Sequence, residues 1–172
     1  NLKSILEHQK EYDYEVCSCF TNNPEAAGLS FCKEYKIDCK IIDHKNYNDR
    51  EEYDGLINSY LENLNPDLIV LAGYMIIMSK SLVDNWEGQI VNIHPSLLPK
   101  YPGLNTHKRA LEAKDKTHGS TIHFVTSELD SGPIIRQESF EIEPSDTEES
   151  LINKVKDLEH KIYPETISLL IK

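Results

Sequence analysis

Asp67-Leu68-Ile69-Val70-Leu71-Ala72 is, after its opening Asp67, a continuous apolar run of strand length, the pattern of a central parallel strand covered on both faces. Helical and extended patterns alternate outward from it. Upstream, Asp49 to Asn63 places Tyr53, Leu56, Ile57, Tyr60 and Leu61 at helical spacing. Downstream, Gln89 to Ile93 reads as a short strand that ends in Asn92-Ile93-His94. Further upstream the spacing predicts a helix from Asn1 to about Glu11, a strand over Tyr14–Phe20, a helix from Pro24 to Lys36 and a strand over Asp38–Ile42. Further downstream it predicts a helix over Thr106–Ala113 and strands over Ser120–Ser127 and Ile134–Ile142. A capping box at Ser145-Asp146-Thr147-Glu148 opens a last helix, which Pro164 is expected to kink or restart. Such alternation means an α/β fold, an open doubly wound and mostly parallel sheet with right-handed crossovers. The chain opens on a helix, whereas doubly wound folds begin with a strand and a glycine-rich turn; the fold is expected to lack its first strand here.

The 172 residues fit a single domain, 1–172, with 39% hydrophobic and 27% charged residues. A net charge of −11 disfavours nucleic acid as a partner, because phosphate binding needs clustered Lys and Arg. No apolar run is long enough to span a membrane and no signal peptide is visible. Cys17, Cys19, Cys32 and Cys39 include no Cys-x-x-Cys pair and read as free thiols of a reducing compartment. Neither internal repeat nor linker is present.

Chemistry concentrates where strands give way to loops. Residues two apart on an extended segment project to one side, so the Asn92 amide and the His94 imidazole can converge on one oxygen. Pro95, Pro99 and Pro102 restrict the loop that follows. Asp130 lies in Leu129-Asp130-Ser131-Gly132-Pro133, a turn signature in which Asp is commonly just a turn former. His107, His118 and His123 lack metal-ligand spacing, and His118 and His123 are expected on opposite faces of one strand. No Gly-x-Ser-x-Gly elbow or P-loop occurs, and Ser96 reads as a hydroxyl that steadies its loop. The acidic stretch Glu138 to Glu149 reads as solvated surface.

Asn92-Ile-His-Pro-Ser-Leu-Leu-Pro-Lys-Tyr-Pro-Gly103, with His118-Gly119 and Leu129–Pro133 downstream, closely resembles the phosphoribosylglycinamide formyltransferase family over essentially the whole chain. The resemblance implies transfer of a formyl group from 10-formyltetrahydrofolate to the primary amine of glycinamide ribonucleotide, in the cytoplasm and without a metal. By the same resemblance Asn92, His94 and Asp130 take the catalytic positions. The folate site is implied at Arg50, Met75, Ile76, Ile77, Met78, Asn92, Val125 and Asp130. Ile76 stands where relatives often carry Arg. The ribonucleotide site is implied at Asn1, Gly73, Ile93, His94, Pro95, Lys156 and Glu159. Relatives use a Gly-Ser-Asn loop at the start of the first helix, of which Asn1 is the last member, so a strand and glycine-rich loop are expected ahead of it. Rival readings are methionyl-tRNA formyltransferase, disfavoured by the acidic charge and the single domain, formyltetrahydrofolate deformylase, and a non-catalytic folate- or nucleotide-binding α/β protein. Oligomeric state is not legible; a homodimer is one possibility.

Overall fold

The computed structural model describes residues 1–171. The apolar run becomes β3 (Ile69–Leu71), which pairs in parallel with β4 (Ile90–His94) so that Leu71 lies opposite Asn92. β4 continues antiparallel to β5 (Thr117–Phe124), and β5 antiparallel to β6 (Ile134–Glu141). A separate parallel pair is made by β1 (Cys19–Thr21) and β2 (Cys39–Ile41). The doubly wound α/β arrangement therefore stands, with its parallel ladders in the first half and antiparallel ladders at the C-terminal side.

Helices cover both faces. On one, Val91, Ile93 and Ile122 pack against Ile5 of α1 (Leu2–Glu7) and Ile162, Tyr163 and Ile167 of α7 (Glu148–Leu170). On the other, Ile90 packs against Tyr53 and Ile57 of α4 (Arg50–Leu64) and Leu82 of α5 (Lys80–Asn85). Val91 and Ile122 are wholly buried, each contributing about 1.5–3 kcal/mol of apolar transfer. Alternation along β4 thus sends Val91 and Ile93 towards α7, while Asn92 and His94 project from the face that carries Ile90. Helix α4 begins where its sequence permits: Asp49 caps the Glu51 N–H, Glu51 and Glu52 meet the helix N-terminus, and Asn65 closes the last turn at φ 46°.

Several local expectations shift. The first helix breaks at His8 into α1 and α2 (Gln9–Tyr12). The strand expected over Tyr14–Phe20 shortens to β1, since residues 14–18 find no strand partner. The second helix begins only at Gly28, as α3 (Gly28–Tyr35), and α5 had no counterpart in the sequence reading. α6 covers Thr106–Glu112, and β5 starts three residues early, at Thr117. The box that opens α7 is Thr147 with Ser150, not Ser145 with Glu148, because the helix starts only at Glu148, which makes Thr147 its N-cap. Helix α7 runs through Pro164 without restarting. The His160 carbonyl, four residues back and deprived of its helical donor, accepts the Ser4 hydroxyl at 2.6 Å. All four cysteines are free thiols; burial pushes the Cys19 thiol up and Cys39 to about 11.

β1 and β3 each pair on one side only, among the described residues, and both line a cavity of about 500 Å³. Phe20 and Val70 border it along the strands, with Leu2 and Ile167 towards one helical layer and Ile57 and Leu61 towards the other. In space the strands run β2-β1, then this slot, then β3-β4-β5-β6.

Candidate active site

Asn92 and His94 occupy the last turn-off of β4, at the carboxyl end of a parallel strand, where open α/β sheets bind ligands. The third residue arrives from the β5–β6 loop. Asp130 adopts φ 50°, and its Oδ2 accepts the Gly103 N–H at 2.8 Å. That oxygen lies 3.4 Å from His94 Nδ1, and both side chains are only 7% exposed. The loop can turn this tightly because Gly132 carries no Cβ: one built there would lie 1.8 Å from the Phe124 carbonyl.

On its other side His94 Nε2 stands 2.9 Å from the Tyr101 carbonyl. Both ring nitrogens therefore face oxygens that only accept. The loop that presents Tyr101 is firmly held. Ser96, wholly buried, donates to the Lys100 carbonyl at 2.6 Å, as its reading as a loop hydroxyl anticipates. Arg109 donates to the Pro102 carbonyl at 2.7 Å and stacks over the Tyr101 ring.

Sequence reasoning assigned His123 no role, yet it joins the other two arms. It lies directly opposite Asn92 across the β4–β5 ladder, with Nε2 at 3.4 Å from Asn92 Nδ2 and 3.7 Å from Asp130 Oδ1. Its Nδ1 donates to the Phe124 carbonyl at 2.8 Å, which fixes the neutral tautomer with a free lone pair on Nε2 to receive the Asn92 amide. Burial lowers its pKa and keeps it neutral, against the opposing pull of Asp130. Only the strand register reveals this pairing, and register is not written in one sequence.

The remaining candidates form two groups. Asn1 donates to Glu159 Oε2 at 2.9 Å, and Glu159 Oε1 lies 2.9 Å from Ser120 Oγ, itself 2.8 Å from the His94 carbonyl. That chain carries α7 to within one hydrogen bond of β4. Asn1 Oδ1 is buried without a partner, and Lys156 is exposed one turn before Glu159. Ile93 faces the core and Pro95 is half-buried, so Ile93 offers a ligand only its backbone. The second group surrounds residues 73–78. Gly73 turns at φ 79°, Met75 and Ile77 are exposed, Ile76 and Met78 half-buried, and Arg50 donates to the Ile77 carbonyl. Val125 gives its N–H to the Ile90 carbonyl at 2.9 Å and packs beside that core. No direct hydrogen bond or ion pair joins this second group to His94 or Asp130 among the described residues.

Residues 1–167 match the family model described as Formyl transferase. The chain belongs to the formyl transferase family. It is 41% identical to the phosphoribosylglycinamide formyltransferase of Haemophilus influenzae, over 95% of this chain and 78% of that one. With the Escherichia coli protein of the same name it shares 40% identity, covering 98% of this chain and 80% of that one. The phosphoribosylglycinamide formyltransferase structure from Coxiella burnetii superposes with a TM-score of 0.94 at 42% identity, over 97% of this chain and 79% of that one. The chain also matches 17% of the length of the chicken trifunctional purine biosynthetic protein adenosine-3, at 40% identity.

This formyl transferase carries a second imidazole pair away from the Asn92 side of the sheet. His107 Nδ1 lies 3.0 Å from His118 Nε2, with the edge of Phe140 beyond, and His118 is 1% exposed. His118 and His123 do face opposite sides of β5. Burial, reinforced by His107, lowers the His118 pKa to about 4. An unfolded chain titrates this group near 6.5, so between about pH 6.5 and 4 it binds more protons than the fold does. The stabilisation is whole above pH 6.5 and is lost as pH falls towards 4. We expect His118 alone to account for about 2 kcal/mol of lost stability between pH 7.5 and 5, with His107 and His123, also lowered by burial, acting in the same direction. Urea midpoints at the two pH values check this: His118→Asn should lose distinctly less on acidification than wild type. No group of three or more His, Cys, Asp or Glu side chains suited to a metal occurs among the described residues, and no described helix is long and apolar enough to cross a membrane.

Proposed function

We propose that this formyl transferase moves the formyl group of 10-formyltetrahydrofolate onto the primary amine of glycinamide ribonucleotide. The observation that carries the reading is the His94–Asp130 pair at 3.4 Å, buried at a strand end, with Asn92 on the same face. The amine nitrogen bonds to the formyl carbon and the carbonyl electrons move to its oxygen. Asn92 and protonated His94 donate to that oxyanion where buried surroundings strengthen each interaction. Asp130 holds the imidazolium and draws the ammonium proton away through water. As the bond from the formyl carbon to the folate N10 breaks, His94 gives its proton to the leaving nitrogen and regains one from Asp130, which had collected the ammonium proton. The loop at 72–78, Arg50 and Val125 hold the folate. Asn1, Lys156 and Glu159, with Gly73, the Ile93 backbone and Pro95, hold the ribonucleotide. The site needs no metal, and the protein works in the cytoplasm as a monomer or homodimer.

The test is turnover with both substrates in the presence of chelator, resolving formylated amine from free formate. Formylated amine is the expected product. Formate alone would indicate a deformylase, and folate binding without turnover a non-catalytic binding protein.

We also propose that the slot between β1 and β3 takes one parallel strand leading into α1. With it the order becomes that of a doubly wound sheet whose first strand is central, and α1 becomes a right-handed crossover to β1. A chain that supplies an apolar strand directly before Asn1 should melt at least about 5 °C higher than residues 1–172 alone. Equal melting temperatures, or protection from hydrogen exchange that never reaches the β1 and β3 amides, would contradict it.

A further inference from the structure

Asp54 is the least expected charge in the molecule. It lies on α4 at 1% exposure, and one carboxylate oxygen, Oδ1, is buried with no partner. Buried polar atoms are rarely left so, and a single one calls for an explanation. The other oxygen supplies it. Oδ2 accepts the Ser79 N–H at 2.5 Å and the Arg50 Nε–H at 3.2 Å. Ser79 is the N-cap of α5, the point where the 73–78 loop ends. Arg50, whose guanidinium sits 5.5 Å from the Tyr53 ring centre, turns its other arm to the Ile77 carbonyl. That hydrogen bond reaches the middle of the 73–78 loop. One carboxylate thus fixes the C-terminal hinge of the loop directly and its middle through Arg50.

We propose that Asp54 is a positioning residue for the formyl donor: without touching substrate, it sets the geometry of Arg50 and of residues 73–78. The proposal rests on the reading of that loop as the donor site. Two facts fit this role better than general stability. The loop presents Met75 and Ile77 to solvent at 72% and 67% exposure, while Met78 packs on the α4 cluster and Tyr74 on Phe20, so packing alone leaves its middle unheld. Arg50 is constrained at Nε and at one terminal nitrogen by groups of this protein, which orients its plane before any ligand arrives.

Asp54→Asn separates position from fold. An amide in the same place still accepts the Ser79 N–H, and its NH₂ replaces the partnerless oxygen, but the charge that orients Arg50 is gone. The KM for 10-formyltetrahydrofolate should rise about tenfold, the loss expected of one charge-assisted hydrogen bond. Both kcat and the KM for the amine substrate should stay within about threefold. In an Arg50→Met background the same change should add less than about twofold, since the residue through which Asp54 acts is already absent. Equal effects on both KM values, or a full tenfold penalty in the Arg50→Met background, would overturn the proposal. Hydrogen exchange gives an arm that leaves Asp54 intact, in case Asp54→Asn does not fold. Residues 73–79 should exchange at least about tenfold faster in Arg50→Met than in wild type, and unchanged exchange overturns the anchoring. Wild-type protein that fails to bind the folate would sink the donor-site reading and the affinity claim with it, while the exchange result still decides whether the anchor exists.

Discussion

His94→Ala should lower turnover about 10³-fold while leaving the protein folded. The imidazole is asked to do two things: donate to the developing oxyanion and return a proton to the leaving nitrogen. Alanine does neither. Removal of one oxyanion donor alone costs about 10²–10³ in rate, and the loss of the proton on departure adds to it. Folding should survive, because His94 is bound to loop groups, the Tyr101 carbonyl and Asp130, and not to the apolar cluster around Val91 and Ile93. Steady-state kcat together with thermal melting checks this. A near-normal rate in folded protein would remove the assigned role.

Asp130→Asn should cost about 10²-fold in kcat for a different reason. An amide in that position still accepts the Gly103 N–H, so the loop keeps its place. What disappears is the negative charge 3.4 Å from His94 Nδ1 and 3.7 Å from His123 Nε2. The imidazolium then loses its counter-charge in a buried setting, and the proton released by the attacking amine loses its destination. Asp130→Ala removes the Gly103 anchor as well and should lose stability in addition to rate. Equal kcat in Asp130→Asn and wild type, with the loop intact, would show that the charge has no part in the reaction.

Much of the site was legible because it sits in contiguous sequence. The Asn92-x-His94 spacing on a strand forces both side chains to one face, and the structure has them there, opposite Val91 and Ile93. The apolar run at 67–72 did announce a strand, though the strand is only Ile69–Leu71 and pairs on one side rather than lying centrally among the described residues. What escaped depends on partners distant in sequence. His123 acquires its place only through the Asn92–His123 register, and Asp54 only because α5 starts beside α4. The helix α5 itself is six residues long, too short for periodicity to declare. Strand β1 was overestimated because its composition favours extension over residues 14–18, whereas extension becomes a strand only when an edge is there to pair with. The helix at Pro164 persisted because Ser4, far away in sequence, satisfies the carbonyl that proline leaves bare.

A crystal structure with a tetrahedral adduct of the amine and folate substrates tests the central claim most directly. One oxygen on the tetrahedral carbon should lie within about 3 Å of both Asn92 Nδ2 and a His94 ring nitrogen, with the Tyr101 carbonyl drawn back from Nε2 to admit it. An adduct oxygen more than about 5 Å from either group, beyond any hydrogen bond, would contradict the account.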